Sequence, residues 1–277
     1  MIYNIFSPSR ELETIVKQYV VINSLDGIDS LLFLPNGCNF IVFNRGFEGY
    51  TKLYNEDIKF PIPKNYSISA KSNKVNRFVI SEQNNTINVE FPIILVELTP
   101  IGFYKLFKAE ASDLNNGYKE LESEIVEEYF KELYAHETIS RELEYLNKRL
   151  YTLFESQDNV HIPIQDVIDE IINNYHYEVT VESLIQEFNC SRSTMERDFK
   201  KFIGLTPKNF IFISKFCKTV LAYVDDDYTF TELGYLYSDY SYMNAVFKKF
   251  LGVSPSVILN EVRNNNIQIH QMKKIDA

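Results

Sequence analysis

The chain has 277 residues, 45% of them apolar and 24% charged, which is enough for two domains of ordinary size and too well mixed for long disordered tracts. No apolar run approaches the roughly 18 residues that span a bilayer, and the N-terminal MIYNIFSPSR lacks the basic and apolar regions of a secretion signal, so a cytoplasmic protein without a membrane partner is expected. The formal net charge of -10 argues against a diffuse affinity for nucleic acid, although whole-chain charge hides local fields.

At the start, Leu12, Ile15, Val16 and Tyr19 recur at helical spacing and predict a short amphipathic helix. The period then changes. LLFLP at 31–35, NFIVFN at 39–44, YSISA at 66–70, RFVI at 77–80, TINVEF at 86–91 and IILVEL at 93–98 are short, rich in β-branched and aromatic residues, and divided by Asn, Gly, Pro and Asp. Such spacing predicts a small barrel or sandwich over residues 20–100. Three scattered cysteines, Cys38, Cys190 and Cys217, form neither a disulfide framework nor a CxxC site, which leaves buried free thiols or a thiol sensor.

From Gly117 the strand signals stop. Leu121, Ile125, Tyr129, Phe130 and Leu133 predict one helix, and Ile139, Leu143, Leu146, Leu150 and Leu153 predict a second with alternating spacings of four and three. That seam suits dimerisation as a coiled coil, but at about two heptads it equally suits packing on the β domain. A polar linker, ESQDNVHIP at 155–163, marks the domain boundary.

The rest reads as helices. Ile164, Val167, Ile168, Ile171 and Ile172 mark the first; Thr180 caps a short one carrying Leu184, and Ser191 caps a second with Met195, Phe199, Phe202 and Ile203 inward. Gly204 closes it, and Thr206-Pro207 opens a long helix that ends at Asp225-Asp226-Asp227. The pair then recurs, with Leu233 in its first member, Asp239 as the second cap, and Met243, Phe247, Phe250 and Leu251 inward. FKKFIGLTP at 199–207 and FKKFLGVSP at 247–255 share six of nine residues at a separation of 48, so a helical unit is repeated. Two short helices joined by a tight turn, the second starting with small polar residues, describe a helix-turn-helix. Residues 191–218 hold seven basic and two acidic side chains, so the basic charge is concentrated on the first unit.

VTVESLIQEFNCSRSTMERDFKKFIGLTPKNFIFISKFCKTV and SDYSYMNAVFKKFLGVSPSVIL resemble the two signatures of the AraC/XylS transcriptional regulators, over about 100 residues from Ile164 to Arg263. Ile185 and Gly234 stand where that family usually has alanine, and the second turn, Leu233 to Asp239, reads as about two residues short. More weakly, FLPNGCNFIVFNRG at 33–46 and ELTPIGFYKLFK at 97–108 resemble the cupin-like sensor domains of some of these regulators, which implies a small effector or a dimerisation role.

The expected architecture is α+β: a β-rich, cupin-like regulatory domain at 1–116, a helical dimerisation or linker region at 117–158, an all-α double helix-turn-helix domain at 159–264 with its units joined by a long helix, and a flexible tail at 265–277. The expected partner is double-stranded DNA, read by Ser191, Arg192, Ser193, Thr194, Glu196, Arg197, Lys200 and Lys201 of the first unit and by Tyr240, Ser241, Tyr242, Asn244 and Lys248 of the more aromatic second. A homodimer through the 139–153 seam and a small effector complete the set of partners. No cofactor, metal or catalytic residue is expected. The four histidines, His136, His161, His176 and His270, lie outside the strand region, and no phosphate loop or nucleophile elbow appears, so an enzyme in the β domain is disfavoured. The acidic balance and the short second turn suggest an alternative, a ligand- or protein-binding module with weakened DNA binding.

Overall fold

In the computed structural model the described residues are 2–24, 30–46, 49–53, 56–71, 74–79, 81–82, 85–86, 90–114, 117–157, 162–173, 179–224, 228–235 and 237–264. The N-terminal half is built of strands β1 (Ile2–Phe6), β2 (Val16–Ser24), β3 (Ser30–Phe33), β4 (Phe40–Phe43), β5 (Gly49–Leu53), β6 (Lys59–Ile62), β7 (Tyr66–Ser69), β8 (Asn76–Val79), β9 (Ser81–Glu82), β10 (Asn85–Thr86), β11 (Ile93–Leu98) and β12 (Tyr118–Glu120). Six of them form one antiparallel sheet in the order β1-β2-β11-β4-β7-β12, and four form a second, β3-β8-β5-β6. The sheets face each other across Val20, Ile22, Val42, Ile93 and Leu95 from the first and Ile62 and Phe78 from the second. The outer face of the large sheet, with Tyr19, Val21, Ile41, Phe43, Ile68, Ile94 and Val96, is covered by helices.

This two-sided burial explains a misreading. The opening helix expected over Leu12 to Tyr19 is absent: Arg10–Leu12 is one 3-10 turn, and Val16 begins β2. Because β2 lies between β1 and β11 and is buried on both faces, its residues do not alternate, and four apolar positions fall at helical spacing by coincidence. The 31–35, 39–44, 66–70, 77–80 and 93–98 runs form strands as expected over their described residues, whereas residue 80 and residues 87–89 of the 86–91 run lie outside the described residues.

The helical elements are α1 (Gly102–Phe107), α2 (Ser123–Ile125), α3 (Ile139–Glu155), α4 (Gln165–Asn173), α5 (Val181–Glu187), α6 (Arg192–Phe202), α7 (Pro207–Val224), α8 (Phe230–Tyr235), α9 (Tyr240–Leu251) and α10 (Pro255–Asn264). Two expectations for 117–158 are corrected here. Strand signals do not stop at Gly117, since β12 extends the large sheet beside β7, and the helix expected over 121–133 is broken into α2, a π turn at Val126–Phe130 and a 3-10 turn at Leu133–Ala135. The seam of α3 is used within the chain: Leu143, Leu146, Leu150 and Leu153 are buried in the outer core of the β domain, and Ile139 packs against it. Polar ties fix α3 in the same place, with Asn147 Oδ1 accepting from Ser9 N at 2.8 Å and Tyr19 OH at 3.1 Å, and Arg45 paired with Glu142. Burial within the chain satisfies these leucines, which matches the alternative of packing on the β domain.

The linker at residues 158–161 and the tail at 265–277 lie outside the described residues. Helices α4 to α10 share one core, and Leu34, Val75 and Ile101 from the β half belong to it, so the halves meet over an apolar surface. Gly37, at φ +73, lets the backbone touch α7, where a Cβ would stand 2.9 Å from the Phe210 ring. Cys217 Sγ of α7 donates to Pro35 O at 3.5 Å, and Lys71 Nζ donates to Ile203 O at 2.9 Å and to Pro100 O. The Tyr104 ring of α1 meets Phe202 edge-on at 4.7 Å.

Candidate DNA interface

The first unit is set by its caps and its apolar stripe. Thr180 Oγ1 accepts from Ser183 N at 3.0 Å while Ser183 Oγ accepts from Thr180 N at 3.0 Å, a reciprocal box that starts α5. Asn189, at φ +45, makes the turn, and Ser191 Oγ accepts from Thr194 N at 3.0 Å to start α6. Met195, Phe199, Phe202 and Ile203 are buried, as the stripe requires, and Phe199 meets Phe210 of α7 at 5.9 Å. Ser191, Arg192, Ser193, Glu196, Arg197 and Lys200 are exposed on the opposite face, with Thr194 half-buried. Lys201 departs from them: its ammonium lies 5.3 Å from the Phe202 ring and 5.9 Å from that of Tyr104, in the junction with the β half.

Two acidic partners on this face were not singled out from the sequence. Glu182, in the first turn of α5, pairs with Arg192, and Asp198 Oδ1 accepts from Arg197 Nε at 3.0 Å. Only the turn between α5 and α6 brings Glu182 to Arg192, ten residues away; the neighbouring Arg197-Asp198 pair was legible in principle. A backbone hydrogen bond, and then the Arg192 guanidinium, hold the Glu182 carboxyl below its usual range.

The second unit repeats the construction. Thr229 and Glu232 cap α8 reciprocally, and Asp239 Oδ1 accepts from Tyr242 N at 2.8 Å to start α9. Met243, Phe247 and Leu251 are buried, while Phe250 is half-buried and stacks on Phe212 at 4.2 Å. Tyr240, Ser241, Tyr242 and Lys248 are exposed and Asn244 is half-exposed. From core leucine to cap the second unit is one residue shorter than the first, Leu233 to Asp239 against Leu184 to Ser191, and position 236 of this turn lies outside the described residues. Tyr237 fills the core at that turn, with its hydroxyl 2.8 Å from Thr219 Oγ1 of α7. At Gly234 a Cβ would stand 3.1 Å from Tyr240 N, so α8 and α9 approach closely there.

Helix α7 fixes the units to each other: Phe210 receives Phe199 of the first, and Phe216 receives Phe247 of the second at 5.5 Å. Its 18 residues span about 27 Å.

In the β half, a cavity of about 400 Å³ lies between the sheets, walled by Ile22, Phe40, Val42, Phe60, Phe78 and Leu95. Lys74 and Glu56, paired at 2.5 Å, are the charged groups among its described lining residues. Burial pushes the thiols of Cys38 and Cys217 up to about 12, which suits packing rather than sensing. Among the described residues no group of three or more His, Cys, Asp or Glu is placed to hold a metal ion, and no helix is long and apolar enough to cross a membrane. His161, His176 and His270 lie outside the described residues.

Residues 184–261 match the family model described as a helix-turn-helix domain. The C-terminal half is a double helix-turn-helix domain. The transcriptional regulatory protein HptR of Staphylococcus aureus is 30% identical over 95 residues, 34% of this chain and 37% of the relative, and the lactose operon transcription activator of Staphylococcus xylosus is 34% identical over 77 residues, 25% and 28% of the two chains. The matches thus span 37% and 28% of the length of these two relatives, and the family model covers the region that carries the two units. Over 94% of this chain and 97% of its own, the solved structure of ToxT from Vibrio cholerae aligns at 12% identity with a TM-score of 0.47.

Proposed function

We propose that the chain is a transcription regulator that binds double-stranded DNA with sequence preference through its first unit, with α6 as the reading helix in the major groove. One observation carries this: α6 sorts its residues into a buried stripe, Met195, Phe199 and Phe202, and an exposed polar face that includes Arg192, Ser193, Arg197 and Lys200. Arg192 and Arg197 are suited to guanine edges, Ser191, Ser193 and Thr194 to either edges or backbone, Glu196 to a cytosine amino group, and Lys200 to phosphate. Lys201 supports the junction with the β half. Tyr240, Ser241, Tyr242, Asn244 and Lys248 form a weakly charged face that seats the second unit on the same duplex. Since α7 spans about 27 Å against a major-groove repeat of roughly 34 Å, one chain can place both units on one DNA face.

A small, largely apolar effector would occupy the cavity between the sheets, where the charged lining groups are already paired with each other. A protein acting on the chromosome in this way works in the cytoplasm. The reading does not require a dimer, because two units stand in one chain.

Selection of duplexes from a random-sequence library by the full chain, followed by titration of single variants, tests this. Arg192→Ala is expected to cut discrimination between the selected site and a scrambled duplex by about 1–3 kcal/mol, and Lys200→Ala to weaken both duplexes alike and reduce the salt slope by about 1. Recovery of no preferred sequence would refute sequence-dependent binding.

A further inference from the structure

The exposed face of α6 carries acidic groups that a purely electrostatic DNA binder would avoid. Arg192 is held from two sides: its Nη2 donates to Glu182 Oε1 across the turn, and its Nη1 lies 3.8 Å from Glu196 Oε1 one turn along the same helix. Both carboxylates stand in solvent, at 66% and 54% exposure, and Arg192 itself is 53% exposed. Exposed pairs of this kind add little to folding stability, so packing does not account for them. Asp198 is different: it is 8% exposed and belongs to the body of the helix.

The pairing changes what Arg192 can bind. A phosphate is charged, so carboxylates within a few ångströms of the guanidinium offset the attraction that draws arginine to the DNA backbone. A guanine edge offers the neutral acceptors O6 and N7 in a fixed plane, and there the loss is smaller. A guanidinium has five donors in a rigid fork, so one edge can keep a carboxylate while another meets the base. The lysines escape this control, since Lys200 has no acidic partner among the described ion pairs.

We propose that Glu182 and Glu196 are positioning residues that set the sequence specificity of the first unit: they aim the Arg192 fork into the groove and suppress its use on phosphate. This rests on the DNA-reading role proposed above for α6. Non-specific binding is limited by offsetting the charge of Arg192 with its two carboxylate partners, while affinity is left to Lys200.

The test uses the full chain, a library-selected duplex and a scrambled duplex of equal length, titrated at two salt concentrations with wild type, Glu182→Gln, Glu196→Gln and each of these combined with Arg192→Ala. Each glutamine variant is expected to tighten the scrambled duplex roughly two- to fivefold while changing the selected one less, so that the ratio falls. In the Arg192→Ala background that change in ratio is expected to vanish. An unchanged ratio, or a change that persists without Arg192, overturns the proposal even if wild type discriminates well. Wild type that fails to discriminate overturns the underlying DNA-reading role instead. Thermal midpoints of the glutamine variants should match wild type, because both glutamates are exposed.

Discussion

Lys71 is buried, an environment far from the usual one for a lysine. It closes the junction between the halves by donating to two backbone carbonyls, Pro100 O and Ile203 O, the second at the C-terminal end of α6. Burial pushes its ammonium down to about 7, with the Cys38 thiol acting weakly in the opposite direction. The sign follows directly. Between about pH 7 and the ordinary lysine value near 10.5 the unfolded chain holds the proton and the folded chain releases it, so this group favours folding more as pH rises. Wild-type stability relative to Lys71→Met, measured by urea denaturation, should therefore increase from pH 7 to 9, with a slope of at most about 1.4 kcal/mol per pH unit. A flat difference would show that Lys71 remains protonated in the junction. Nothing in SISAKSNK marks this lysine as buried, because its partners are carbonyls about 30 and 130 residues away.

Among elements, those whose limits are written locally were legible. Thr180, Ser191 and Asp239 cap α5, α6 and α9, Gly204 and Gly252 take positive φ where α6 and α9 stop, and the apolar stripes face inward. The elements that were missed depend on distant partners. β2 is covered on both faces and so lost its alternation, β12 is three residues long and held by β7, and the α3 seam, which reads as a short coiled coil, is filled by a sheet. The candidate site divides the same way, since its outward face followed from the stripe while the Glu182–Arg192 pair needed the turn to be closed. Because Phe199 and Phe247 are the anchors that join α6 and α9 to α7, Phe199→Ala and Phe247→Ala should each cost about 3–5 kcal/mol in chemical denaturation. A cost below about 1 kcal/mol would mean that the anchor is not in the core.

At the scale of the whole molecule, the two halves share an apolar surface instead of hanging on a linker. Leu34, Pro35, Asn36 and Cys38 line the cavity, while Pro35 and Gly37 of the same segment rest on α7. The chain therefore places a cavity of about 400 Å³ one segment away from the helix that joins the two units. Under the function proposed above, a chain that is acidic overall and basic on one helix face is expected to find a particular sequence in preference to DNA in general. Footprinting of the full chain on its library-selected duplex, at monomer concentrations, tests this most directly. The account calls for two protected patches about one helical turn apart on one face, lost progressively as salt rises. Protection no stronger on the selected duplex than on bulk DNA would contradict it.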